Sequence, residues 1–170
     1  KNAKNITDAS PLHVLEVKKK ANEKLCDEIR LLKQFCKAQG VYGAETYIKG
    51  FSGHVLEILT LKFGSFEEVL KEISKLEEGS TIGKGNVPKD KRSALIVVDP
   101  SDSNRNAAAA LSKERFKKFK ESARAYLRKP SKDFFIEKTI TKKDFRGKDI
   151  LIKAWALKGK VDTIGTKLLK

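Results

Sequence analysis

The chain is predicted to be an α+β protein: mostly helical over residues 1–130, then a truncated β-containing segment over 131–170. Three observations carry that prediction. Residues 22–39 and 113–128 repeat apolar side chains at helical spacing, so each presents one stripe to a core. The run ALIVV at 94–98 has the length and β-branched content of a buried strand. Beyond Pro130 the texture changes to the alternation of DILIKAWAL at 149–157, the pattern of a strand covered on one face.

Along the first segment, Leu25, Ile29, Leu32 and Cys36 follow i, i+4, i+7, i+11, and Gly40 stands where a helix ends. Lys33 lies about 80° from the centre of that stripe, on its shoulder. There a lysine either snorkels to water or buries its stem and aims its ammonium inward. Residues 43–49 are read as a short strand, and GFSG at 50–53 leads into a helix over 54–63. Ser52 and Gly53 are the candidates for its N-terminal cap. Ser65 with Glu68 forms a capping box for a helix over 66–78, and 79–92 reads as a Gly/Lys loop.

The strand at 94–98 stops at Asp99-Pro100. Arg105 then stands between two asparagines, ahead of four alanines read as a helix entrance, where free N–H groups and the helix dipole favour an anion. Ser112 caps the helix over 113–128. Its inner face carries Phe116, Phe119, Ala123, Tyr126 and Leu127, and its outer face Lys113, Lys117, Lys118, Lys120, Arg124 and Arg128. Lys129-Pro130 ends it. After this boundary come a strand at 134–141, a turn at Arg146-Gly147, the strand at 149–157 and a helix start at 162–170. Such a run cannot cover its own apolar faces, so it reads as the beginning of a second domain.

At 170 residues there is room for one domain plus part of another. No run approaches the ~18 apolar residues of a membrane span, and no leader pattern opens the chain. A first residue of Lys and the absence of Met read as a piece cut from a longer polypeptide. The net charge of +15 is uneven: residues 113–170 hold 19 Lys and Arg against 7 Asp and Glu, whereas 1–112 hold 18 against 15. A cluster of that kind is either a surface for nucleic acid phosphates or a solvated basic face. Cys26 and Cys36 on one helix are about 15 Å apart at 1.5 Å rise per residue, too far for a disulfide. They read as thiols in a reducing, cytoplasmic setting.

Catalytic chemistry finds little to recruit. There is no Asp-x-Asp in a Gly-Ser context, no Ser-His-Asp order and no zinc spacing, and His13 and His54 are far apart in sequence. No residue is therefore assigned as catalytic or as a metal ligand. Asp99 and Asp102 could hold Mg²⁺ or simply shape the turn after the strand. Phosphate binding has more support. Arg105 stands at its proposed helix entrance, Ser52 and Gly53 at a second helix end, and Tyr42 between Gly40 and Gly43 carries a ring suited to stacking or to partial burial.

The stretch CDEIRLLKQFCKAQGVYGAETYIKGFSGHVLEILTLKFGSFEEVL, followed by VVDPSDSNRNAAAALS and KPSKDFF, resembles the archaeal (class I) CCA-adding enzymes, the tRNA nucleotidyltransferases, across about residues 10–135. The resemblance implies a central domain like that of poly(A) polymerases and oligoadenylate synthetases, followed by the start of an RNA-binding body and tail. It implies addition of CCA to tRNA 3′ ends from CTP and ATP without a nucleic acid template. The Mg²⁺-binding carboxylates of such enzymes belong to a head domain that this stretch does not match, so the fragment is expected to be inactive alone. It further implies that His13, Lys33, Tyr42 and Arg105 contact the incoming nucleotide, with Lys33 and Tyr42 on the triphosphate and Arg105 on base and phosphates. Ser52, Gly53, Asn104 and Asn106 would support them or touch the acceptor arm of tRNA. A homodimer is a further expectation. Two departures stand out: Ser101 and Ser103 replace residues of the usual DPVDPNRN, and His54 stands where a Tyr often follows FSG. The alternative reading is a non-catalytic basic RNA-binding module.

Overall fold

The structure is a computed structural model that describes residues 22–137. Contacts divide the chain into two compact units, Lys1–Glu137 and Lys138–Lys170. His13 and the strands and helix expected beyond 137 lie outside the described residues.

Helix α1 (Glu23–Ala38) begins where the Asn22 side chain accepts the Leu25 N–H, and it buries Ile29, Leu32, Phe35 and Cys36. Helix α2 (Gly53–Phe63) is capped by Ser52 and ends on Gly64 at φ 88, a left-handed residue that glycine adopts at no steric cost. Helix α3 (Phe66–Lys75) is capped by Ser65, and Glu28 of α1 also accepts its Phe66 N–H at 2.8 Å. It stops three residues before the predicted end at 78. Helix α4 (Lys113–Arg128) is capped by Ser112. Among the described residues, no helix is long and apolar enough to cross a membrane.

The four helices share one core, to which α1, α3 and α4 contribute an aromatic cluster and α2 aliphatic side chains. Phe35, fully buried, has Phe66 at 5.5 Å, Phe119 at 6.1 Å and Tyr126 at 5.9 Å between ring centroids. Most of these pairs are edge-to-face, the arrangement that the ring quadrupole favours. Phe134 and Phe135 join the same cluster from a 3₁₀ turn at Lys132–Phe135. Gln39 and Gln34 donate to their carbonyls at 2.9 Å each. Residues 134–137 are therefore a turn pinned to α1 rather than the opening of a strand, and they lie within the first compact unit.

Beside the helices lies a three-stranded sheet in the order β1 (Thr81–Ile82), β2 (Ile96–Asp99), β3 (Asp102–Asn106). β1 is parallel to β2 and β2 antiparallel to β3. All four β2 residues are buried. Val97 faces the main core, while Ile96 and Val98 pack with Val87 in a smaller cluster. A strand covered on both faces reads as an unbroken apolar run, which is why ALIVV was legible.

Three sequence expectations change here. Residues 43–49 form a turn rather than a strand, with a single bridge between Tyr42 and Phe51. The Gly/Lys loop contains β1 and packs on β3: the Asn86 N–H donates to the Ser103 carbonyl at 3.0 Å. Arg105 lies on β3, and the next helix begins only at Lys113. The alanines at 107–110 make turns instead, because the Asn106 side chain captures the Ala108 N–H at 3.0 Å and the Lys49 carbonyl takes the Ser112 N–H at 2.9 Å. Those tertiary bonds override the helix propensity of alanine.

The outer face of α4 is also less free than its sequence implies. Lys120 donates to the Leu76 carbonyl at 3.0 Å and Arg124 to the Ser74 carbonyl at 2.6 Å. Both satisfy carbonyls at the C-terminal end of α3, where the dipole favours cations. Arg115 donates to the carbonyls of Ile48 and Gly40, tying α4 to the loop that carries Tyr42.

Candidate functional site

The loop between α1 and α2 is closed by its own backbone. The Phe51 N–H donates to the Val41 carbonyl, the Gly43 N–H to the Phe51 carbonyl and the Gly50 N–H to the Gly43 carbonyl, at 2.7–2.8 Å. A Cβ on Gly50 would lie 2.2 Å from the Val41 carbonyl oxygen, so only glycine lets the strands of this loop approach. Tyr42 projects from it, with the Lys37 ammonium 5.3 Å from its ring centroid.

At the N-terminal end of α2 three sequence-predicted residues converge. A Cβ built on Gly53 would lie 3.1 Å from the Tyr42 hydroxyl and 3.7 Å from the Lys33 ammonium. Lys33 comes from α1, Tyr42 from the loop and Gly53 from the first turn of α2. Lys33 is thus the inward-aimed lysine, not a snorkelling one. Ser52 spends its hydroxyl oxygen as the cap of Val55 at 3.2 Å.

Arg105 reaches the same face from the sheet. Asp99 pairs with Asp102 across the hairpin and Val98 pairs with Asn106, so residues 103–105 form a bulge between them. A bulge re-aims the side chains it carries, and here it turns the Arg105 guanidinium onto Asp99, with Nη1 3.3 Å from Oδ2. Asn104 is exposed on the bulge. Asn106 is buried: its Oδ1 accepts from Val97 and Ala108, and its Nδ2 donates to Lys91, Ser93 and Leu95. Its amide is consumed in holding the hairpin to the loop before it.

Between Lys33 and Arg105 runs a string of charges that sequence reasoning missed. Lys33 Nζ donates to Glu57 Oε1 at 2.6 Å. His54 Nδ1 lies 4.0 Å from Glu57 Oε2, and its Nε2 lies 3.3 Å from Asp99 Oδ2. Asp99 Oδ1 in turn accepts the Ser101 N–H at 2.9 Å and its hydroxyl at 2.6 Å. The spacing of His54 and Glu57, three apart on one helix face, was the available signal.

The charge states follow from these neighbours. Burial disfavours a charged His54, but the hydrogen bond to Asp99 and the nearby carboxylates of Asp99 and Glu57 outweigh it and hold the imidazole above its ordinary value. The neighbouring His54 lowers Glu57 most; burial opposes it, and Lys33 adds to the lowering. Burial would raise Asp99, yet His54 and Ser101 hold it well below the usual carboxylate range. Away from this string, burial pushes the Cys36 thiol far up.

Asp99 and Asp102 are committed to the turn. Asp99 serves His54, Arg105 and Ser101, and Asp102 Oδ1 accepts the Asn104 N–H at 3.0 Å. Among the described residues, no group of three or more His, Cys, Asp or Glu is placed to hold a metal ion. The described residues therefore do not fit a Mg²⁺ site.

Fold and site together define an α+β domain in which Lys33 and Tyr42 meet the N-terminal end of α2 and Arg105 is linked to Lys33 through Asp99, His54 and Glu57. The family model described as tRNA nucleotidyltransferase, second domain, matches residues 27–136, and the chain belongs to that family. It is 42% identical over 146 residues to the CCA-adding enzyme of Sulfurisphaera tokodaii, covering 86% of this chain and 35% of the relative. The CCA-adding enzyme of Methanocaldococcus jannaschii is 41% identical over 139 residues, with 75% and 31% covered. That of Saccharolobus solfataricus is 39% identical over 145 residues, with 85% and 35% covered. The chain thus spans about a third of the length of the curated relatives it matches.

Proposed function

We propose that this chain is the nucleotide- and tRNA-positioning portion of a CCA-adding tRNA nucleotidyltransferase, which extends tRNA 3′ ends from CTP and ATP without a nucleic acid template. The observation that carries the reading is the convergence of Lys33, Tyr42 and Gly53 at the start of α2, joined to Arg105 through Glu57, His54 and Asp99. In this reading Lys33 and Tyr42 meet the triphosphate, Arg105 meets base and phosphates, and His13 adds a further contact. Arg105 works from a strand bulge, so its own charge, not a helix end, supplies the attraction. The helix end that faces the nucleotide is that of α2.

The division into a central domain and the beginning of an RNA-binding domain belongs to the same proposal, as do the tRNA acceptor arm as partner, a cytoplasmic setting and a homodimer. Any Mg²⁺ used by the complete enzyme would be held outside the described residues.

The test uses the complete polypeptide that carries this chain. A charge-assisted contact contributes roughly 1.5–3 kcal/mol, or about ten- to a hundredfold in affinity. Arg105→Ala and Lys33→Ala should raise KM for CTP and ATP by that factor while tRNA affinity stays within about twofold. Equal loss of nucleotide and tRNA affinity would remove both residues from the nucleotide site and favour a basic RNA-binding module.

A further inference from the structure

Lys33 stands on α1 and Arg105 on the bulge of β3, elements with no shared hydrogen-bond ladder. Two long cationic side chains from separate elements lose considerable rotamer freedom when both must meet one ligand. Here that freedom is already restricted. The ammonium is held by Glu57 at 2.6 Å, and Glu57 faces His54 at 4.0 Å. His54 reaches Asp99 at 3.3 Å, and the same Asp99 oxygen holds Arg105 at 3.3 Å. Ser101 fixes the other Asp99 oxygen through its N–H and its hydroxyl, so the carboxylate plane cannot turn. The Asp99 side chain is 0% exposed, whereas Lys33 and Arg105 are each 27% exposed. Glu57, at 25% exposed, is as accessible as the lysine it holds, so only the Asp99 end of the string is fully buried.

Resting on the nucleotide-site reading above, we propose that Asp99 and Glu57, joined through His54, are positioning residues for the incoming nucleotide. They orient Arg105 and Lys33 before the ligand arrives and touch none of it themselves. The string alternates in charge from Lys33 to Arg105, with its contacts at 2.6–3.3 Å except for the 4.0 Å approach of Glu57 to His54. The competing account makes the carboxylates mere rivals of the phosphates, in which case removing them would free the cations and tighten binding.

Steady-state kinetics of the complete polypeptide separate the two. Asp99→Asn and Glu57→Gln keep size and remove charge. Each should raise KM for CTP and ATP about tenfold and leave KM for tRNA within about twofold. Because the effect passes through the cations, Asp99→Asn in an Arg105→Ala background should add less than about twofold, as should Glu57→Gln in a Lys33→Ala background. If Asp99→Asn lowers the melting temperature too far to assay, the more exposed Glu57→Gln carries the test alone. Unchanged or lowered nucleotide KM in the carboxylate variants, or full additivity with the cation variants, overturns the positioning role. If Arg105→Ala and Lys33→Ala themselves leave nucleotide KM unchanged, the nucleotide-site reading fails instead.

Discussion

The aromatic core and the site face of this domain are held by different forces. Around Phe35, stability comes from close-packed rings on three helices and one turn, and dispersion and apolar burial do most of the work. At the site, Tyr42 is held by a backbone-closed loop and Arg105 by a bulge, and the cations by carboxylates. The first region tolerates no loss of volume. The second tolerates no loss of a particular atom. Damage to the core should therefore appear as unfolding, and damage to the site as misplaced charge in a folded protein.

The largest expected effect tests that contrast directly. Phe35→Ala empties the centre of the ring cluster and should cost about 3–5 kcal/mol in urea denaturation. Against it, Gly50→Ala drives a methyl group against the Val41 carbonyl and should cost about 1–3 kcal/mol. It should nevertheless raise nucleotide KM more than its stability loss accounts for, because the loop it forces open carries Tyr42. If Gly50→Ala lost stability with no change in KM of the folded fraction, the loop would be scaffold only.

The smallest effect is on pH dependence, where the two kinds of site group act on opposite limbs. Glu57 and Asp99 sit below their ordinary 4.5 and 3.8, so their contribution is present above those values and lost as pH falls through the lower folded values. His54 sits above its ordinary 6.5, so its contribution is full below 6.5 and lost as pH rises through the folded value. The melting temperature should plateau between about pH 5 and 6.5 and fall by a few degrees on each side. His54→Gln should abolish the alkaline fall. An alkaline limb that persists in His54→Gln would place its origin in another group.

The same contrast explains what the sequence made legible. Periodicity located α1 and α4 because each turns one stripe to the core, capping signals marked the starts of α2 and α3, and Asn22, Ser52, Ser65 and Ser112 all act as caps. Lys33 was recognisable as a shoulder residue. Its partner Glu57 was not, because an ion pair across two helices leaves no trace in either helix's spacing. The four alanines after Asn106 mislead for a related reason. Local propensity favours a helix there, but bonds to distant groups, from Asn106 to the 91–95 segment and from Ser112 to Lys49, decide otherwise. The Gly/Lys loop hid its role similarly: a Cβ on Gly85 would lie 2.2 Å from the Ser103 carbonyl oxygen, a contact visible only once the bulge is formed. The family resemblance singles out Arg105 and Tyr42 where physical reading alone leaves several anion sites open, and their role remains the proposal made above.

The most direct measurement is a crystal structure of the complete polypeptide with bound CTP. The account predicts triphosphate oxygens within about 3 Å of Lys33 Nζ and Tyr42 Oη, with the Arg105 guanidinium on the same nucleotide and still paired to Asp99. A nucleotide seated on another face, with Lys33, Tyr42 and Arg105 left facing solvent, would contradict it.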